Sequence, residues 1–155
     1  MKIGTQAQQL EIAIKIAKLA HAGQYRWSGD DYITHCKAVA EAVDSDLEKT
    51  VAWLHDVVED TAVSLVSLAK RGMSEHVIIA VAALTRGDRE TYLAYILRVK
   101  KTETALAVKL ADLQHNMRDL RSGSLRDKYI MAVHILEEKA MVNAQKMGSL
   151  WTVVR

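Results

Sequence analysis

The sequence predicts an all-α fold. Its 155 residues include no proline and little glycine, so few residues interrupt a helix. Apolar residues recur at three- and four-residue spacing through most of the chain. The breaks between those runs carry Gly, Ser or Thr, which stop or cap helices. A chain of this length buries a core of its own. The expectation is therefore one domain, residues 1–155, built as a helical bundle of about eight helices.

Taken in order, polar residues at 8, 11, 15 and 18 with apolar ones between them predict a first helix over about 6–22, stopped by Gly23. The polar loop of "GQYRWSGDDYITHCKAVAEAV" leads into a second helix with Tyr32, Val39 and Val43 on its inner side and His35 in its first turns. "SDLE" at 45–48 is a capping box, from which a third helix should run to about Asp60. Further helices are expected at about 62–71, ended by Gly72, at 75–84 after Ser74, and at 89–100 after Asp88. Thr102 caps the periodic run "TETALAVKLADLQHNMRDL", and Ser124 caps a last long helix. The tail "WTVVR" reads either as a short strand or as a docked end.

The formal charge of +2 is too small for a nucleic-acid or membrane partner held by bulk charge, so the expected partner is a small anion gripped by local basic residues. A single cysteine, Cys36, leaves no internal disulfide to form and fits a reducing compartment. Glu11, Lys15 and Lys18 interrupt the apolar residues of the first helix, which is thus neither a signal-peptide core nor a membrane span. Cytoplasmic placement is the expectation.

"VAWLHDVVEDT" then stands out, because a core-forming run is followed at once by His55, Asp56, Glu59 and Asp60. On one continuous helix, at ~100° per residue, these four share one side within about 140° of arc. Burying carboxylates together is costly unless a cation sits between them, which makes a metal ion the economical explanation. In "VKLADLQHN", Lys109, Asp112 and Asn116 span about 60° at the same pitch, apart from the stripe of Leu110, Leu113 and Met117. His35, in "YITH", opens a helix just after the loop carrying Arg26. Imidazole with carboxylate suits Mn(II), Fe(II), Co(II) or Zn(II) better than Mg(II). Taken alone, the His-Asp dipeptide reads as a satisfied core histidine, Asp112 as the partner of Arg118 or a lysine, and Asn116 as an ordinary polar residue. His21, His76, His115 and His134 read as structural or exposed, Cys36 as packing, and Trp53, Tyr92 and Tyr95 as core or rim aromatics.

In this order the pieces resemble an HD-domain metal-dependent phosphohydrolase, with His35, His55–Asp56 and Asp112 carrying the H…HD…D pattern. More narrowly, "AHAGQYRWSGDDYITH", "WLHDVVEDT", "ALTRGDRETYLAYILRV" and "VKLADLQHNMRDL" resemble the hydrolase domain of RelA/SpoT proteins, especially the stand-alone small alarmone hydrolases, from about residue 5 to 145. The resemblance implies that His35, His55, Asp56 and Asp112 bind one Mn(II), with another divalent transition ion as the alternative, and that Glu59 and Asp60 are catalytic beside the reacting phosphate. It also implies that Arg26 contacts the base, that Asn116 lies near the ribose, that Tyr129 lines the nucleotide pocket, and that Lys109 precedes the last ligand. The chain departs from the family at Trp27, where a basic residue is usual, and at Asp31 and Cys36, where prolines are.

The implied reaction is hydrolysis of (p)ppGpp, the alarmone of the stringent response, to GDP or GTP and pyrophosphate. The metal would acidify a water and polarise the phosphoryl oxygen. Glu59 and Asp60 would share the proton transfers, and Arg26, Lys109 and Arg86 or Arg89 would balance the charge of the substrate. The alternatives are the same chemistry on a nucleoside monophosphate or NADPH, with Trp27 reshaping the pocket, and a non-catalytic nucleotide sensor, against which the presence of Glu59 and Asp60 argues.

Overall fold

The computed structural model describes the backbone of residues 3–152 and the side chains of residues 3–138. The helices are α1 (Gln6–Ala20), α2 (Ile33–Glu41), α3 (Asp46–Leu54), α4 (Val57–Asp60), α5 (Leu65–Lys70), α6 (Glu75–Leu84), α7 (Tyr92–Val99), α8 (Glu103–Arg118) and α9 (Ser124–Thr152). No strand occurs among the described residues; a lone bridge ties Tyr25 to Asp31. The all-α bundle expected from the sequence is the observed fold, its ninth segment being the single turn α4. Of the tail "WTVVR", Trp151 and Thr152 end α9 and residues 153–155 lie outside the described residues.

Local chemistry explains four of the helix starts, while Ser74 and Thr102 precede α6 and α8 without a side-chain capping bond, the Thr102 cap expected from the sequence included. Thr5 with Gln8, and Ser45 with Glu48, form reciprocal capping boxes that start α1 and α3. Ser64 and Thr91 accept from the amides of Ser67 and Ala94, so α5 and α7 each begin three residues later than the sequence suggests. Gly23, at φ 76°, reverses the chain after α1 in a conformation that a side chain would strain.

α3 is the central element and packs on α1, α2, α6 and α8. Thr50, Val51, Ala52, Trp53 and Leu54 are all buried, so no face of its second half meets solvent. Leu54, Val57, Val108 and Leu113 are fully buried where α3, α4 and α8 meet the core. Burying each leucine or valine contributes about 1.5–3 kcal/mol.

The third helix expected to run to Asp60 breaks after Leu54. His55 Nδ1 donates to the carbonyl of Ala52 at 2.7 Å, Asp56 turns at φ −102°, ψ −7°, and helix resumes only at Val57. The break sends His55 and Asp56 inward and leaves Glu59 and Asp60 exposed on the turn of α4. The single shared face inferred from a continuous helix is replaced by a corner.

Candidate metal centre and the cleft beside it

Three parts of the chain meet at this corner. His35 comes from the first turn of α2, His55 and Asp56 from the α3–α4 junction, and Asp112 from the middle of α8. His35 Nε2 and His55 Nε2 lie 3.3 Å apart. Asp56 Oδ2 is 2.8 Å from His55 Nε2 and 3.7 Å from His35 Nε2, while Asp112 Oδ1 is 3.2 Å from His35 Nε2 and 3.8 Å from His55 Nε2. Ligand atoms of His35, His55 and Asp56 fall within 4.8 Å of one another. Asp112 adds a second carboxylate against the same pair of nitrogens.

The other nitrogen of each imidazole is also engaged. A carbonyl only accepts, so His55 donates from Nδ1 and turns Nε2 inward toward the carboxylates. His35 Nδ1 meets His115 Nδ1 at 2.9 Å. Burial, with the charges of Arg26 and Arg118, lowers the pKa of His115, which favours its neutral form as the acceptor. His35 can therefore donate from Nδ1 and also present a lone pair on Nε2. This is the outer support that metal-ligating histidines use.

The electrostatics favour a cation here. Burial opposes charge on Asp56, yet His55 brings its carboxyl down to about 2. Burial likewise opposes charge on Asp112, and Lys109, with the two imidazoles, carries it well below the usual carboxylate range. The two carboxylates in turn hold His55 well above the usual histidine range against the effect of burial. Two inward imidazole nitrogens and two ionised carboxylates are a donor set that fits a divalent transition ion.

Asp112 is held on both sides. Lys109 Nζ donates to Oδ2 at 2.7 Å and Asn116 Nδ2 to Oδ1 at 2.6 Å. Asn116 Oδ1 accepts from Arg26 at 3.3 Å, and Arg26 also pairs with Asp119 at 2.8 Å. A cleft of about 560 Å³ opens here, lined by Tyr25, Arg26, Trp27, Tyr32, Asn116, Asp119, Leu120, Leu125 and Tyr129. Arg26, Asn116 and Tyr129, which lie far apart in sequence, thus share one wall system. Trp27 is fully exposed at its mouth, on a tight turn closed by the Gly29 amide on the Arg26 carbonyl at 2.9 Å.

The chain is similar in sequence to several curated proteins. The chain is 36% identical over 127 residues to a GTP pyrophosphokinase of Streptomyces coelicolor, a match covering 74% of this chain and 15% of that protein. It is 37% identical over 126 residues to the guanosine-3′,5′-bis(diphosphate) 3′-pyrophosphohydrolase of Haemophilus influenzae, covering 72% of this chain and 18% of that one. It is 33% identical over 135 residues to the bifunctional (p)ppGpp synthase/hydrolase SpoT of Escherichia coli, covering 78% and 19% respectively. The chain thus spans less than a fifth of the length of these curated relatives. No family model matches it. A solved structure of a metazoan ortholog of SpoT that hydrolyzes ppGpp superposes with a TM-score of 0.69 at 22% identity, covering 84% of each chain.

The chain is RelA/SpoT hydrolase-like. In this RelA/SpoT hydrolase-like fold, Glu59 and Asp60 stand at the rim of the centre. Glu59 Oε2 accepts from the amide of Arg86 at 2.8 Å, and the carbonyl of Asp60 accepts from Gln24 at 3.3 Å. Burial and the charges of Asp56 and Glu59 raise the pKa of Asp60. Lys109 is turned to Asp112 and the Tyr95 ring, 5.3 Å from its centroid.

Sequence reasoning missed two supports. Tyr32, read as inner packing, donates its hydroxyl to Asp56 Oδ2 at 2.5 Å. His115, read as structural or exposed, is half-buried and braces His35. Both sit three residues from a ligand on a helix, Tyr32 before His35 and His115 after Asp112, and that spacing was the signal available. Cys36 packs in the core as expected, its thiol pushed up to about 11 by burial. His21 is buried beside the Tyr32 ring, with centroids 4.8 Å apart, while His76 and His134 are exposed.

Proposed function

We propose that this chain is a metal-dependent (p)ppGpp 3′-pyrophosphohydrolase with Mn(II) as its resident ion. The observation that carries the reading is the cluster of two imidazole nitrogens and two carboxylates beside a cleft lined by Arg26, Asn116 and Tyr129. The named activities of the relatives from Haemophilus influenzae and Escherichia coli agree with it.

His35, His55, Asp56 and Asp112 hold the ion, which when bound polarises a phosphoryl oxygen and acidifies a water. Arg26 stacks on the guanine base, Asn116 meets the ribose, and Tyr129 closes the cleft. These contacts fix the nucleoside, so the phosphorus joined to the ribose 3′-oxygen is the one beside Glu59 and Asp60. Water adds to that phosphorus, Glu59 takes the proton of the water, and the bond from phosphorus to the 3′-oxygen breaks. Asp60, whose carboxyl holds a proton more readily than an ordinary aspartate, assists proton transfer to the leaving oxygen. The products are GDP or GTP and intact pyrophosphate. Lys109 neutralises Asp112 and holds its Oδ2, so that Oδ1, which Asn116 also binds, faces the histidines.

Product analysis with Mn(II) and ppGpp tests the reading, the expected result being GDP and pyrophosphate in equal amounts with no orthophosphate. A Glu59→Gln control should keep the metal and lose about 10²- to 10⁴-fold in turnover. Orthophosphate would place attack at the terminal phosphorus. Turnover of NADPH or a nucleoside monophosphate with ppGpp untouched would move the activity to that substrate. A chain that binds metal and nucleotide but turns over none of these would be a sensor.

A further inference from the structure

A second group of side chains borders Glu59 outside the Arg26 cleft. The amide of Arg86 is bound to Glu59 Oε2 at 2.8 Å, and the Arg86 guanidinium turns back to the carbonyl of Glu90 at 2.8 Å, a neutral acceptor. The carboxylate of Glu90 is occupied elsewhere, by Arg98 at 2.7 Å. The charge of Arg86 is therefore not spent on a carboxylate side chain. Across the loop, Lys128 of α9 lies 3.9 Å from the centroid of the Tyr92 ring, and the same ring has the Arg86 guanidinium at 6.0 Å. Lys128 makes no ion pair among the described residues. The Tyr92 hydroxyl is buried and has no hydrogen-bond partner among them.

Two cations over one aromatic ring, with an unpartnered hydroxyl on that ring, form a cluster short of negative charge. Burial and the like charges of Arg86 and Lys109 hold the ammonium of Lys128 below the usual lysine value, in line with that deficit. A compact polyanion would satisfy all three groups at once.

We propose that Arg86, Tyr92 and Lys128 form a pyrophosphate subsite that holds the 3′-diphosphate through the 3′-pyrophosphohydrolase reaction and the pyrophosphate released when the bond to the 3′-oxygen breaks. The assignment rests on that reading for its substrate, but the subsite is defined by its affinity for inorganic pyrophosphate and is measurable without turnover. Because the Arg86 amide is bound to Glu59, a proximal phosphate facing that carboxylate leaves the distal one to the cations of Arg86 and Lys128. That arrangement leaves the 5′-phosphates to the Arg26 side.

Equilibrium dialysis of the full chain against radiolabelled pyrophosphate, and separately against GDP, tests this on the wild type, Lys128→Gln and Tyr92→Phe. Lys128 is a partly exposed helix residue and Tyr92→Phe removes one oxygen, so both variants should fold, as thermal unfolding will verify. The expected result is pyrophosphate binding weakened about tenfold or more in Lys128→Gln and measurably in Tyr92→Phe, with GDP unchanged in both. Equal pyrophosphate affinity in wild type and Lys128→Gln overturns the subsite, as does an equal loss for GDP, which would assign the lobe to the 5′-diphosphate. Pyrophosphate binding that depends on Lys128 in a chain inert toward ppGpp keeps the subsite and removes the 3′-pyrophosphohydrolase reading. Turnover of ppGpp with Lys128-independent pyrophosphate binding does the reverse.

Discussion

The hydroxyl of Tyr32 has a short hydrogen bond to give and gives it to Asp56 Oδ2 at 2.5 Å. Burial, then the charge of Asp56, pushes the phenol far above its usual pKa, so it stays a donor at any working pH. Stacking on His21, 4.8 Å between centroids, and an edge contact with His35 at 5.6 Å fix the ring. Tyr32 thus sets the carboxylate of Asp56 in one rotamer facing His55. Tyr32→Phe keeps the packing and removes the oxygen, and the expected result is about 10- to 100-fold weaker Mn(II) binding by calorimetry with little change in thermal stability. Unchanged affinity would reduce Tyr32 to packing. His35, His55, Asp56 and Asp112 stood out in the sequence as ionisable groups beside apolar periodicity, and the family resemblance joined them into one set. Tyr32 and His115 did not, because their bonds join residues 24 and 80 positions apart and each fits a helical pattern without them.

Among the helices, the loop between α6 and α7 is fastened by one residue. Arg98 donates to the carbonyls of Ala82, Ala83 and Thr85, each at 3.0 Å, and grips both oxygens of Glu90 at 2.8 and 2.7 Å. It therefore caps the C-terminus of α6, whose last carbonyls lack helical partners, and fixes the loop that carries the Arg86 amide to Glu59. Arg98→Ala should cost about 2 kcal/mol. In a chain of this size that is a fall of roughly 4–8 °C in Tm, accompanied by reduced turnover because Glu59 loses its fixed donor. A variant with wild-type turnover would separate the loop from the chemistry. The arginine holds the Glu90 carboxyl down at about 2. The clasp is therefore complete above the ordinary glutamate range and is lost only as pH falls toward that value. Capping boxes at Thr5 and Ser45 made the starts of α1 and α3 readable from local sequence. The break at His55 was hidden, because "VAWLHDVVED" keeps helical periodicity and only a side-chain bond to the Ala52 carbonyl diverts it.

For the molecule as a whole, the proposed metal centre is also a cross-link. Its four residues belong to α2, the α3–α4 junction and α8, and α3 packs on both of the other helices, so an ion held by all four ties the central helix to its neighbours. The unfolded chain has no such arrangement, and binding free energy therefore adds to folding free energy. With Mn(II) at about a hundredfold over its dissociation constant the gain is about 2.7 kcal/mol. For a chain of this size that predicts a Tm rise of roughly 5–11 °C, reversed by chelator. Asp112→Asn keeps the shape of the side chain and removes its charge. It should lower the metal-free Tm, because Lys109 loses its buried partner, and it should abolish most of the rise with Mn(II). The two effects are separable: a lower starting Tm alone reports the ion pair, and the missing increment reports the ligand. An unchanged increment in Asp112→Asn would leave His35, His55 and Asp56 as the ligand set, and no increment in the wild type would remove the metal centre itself.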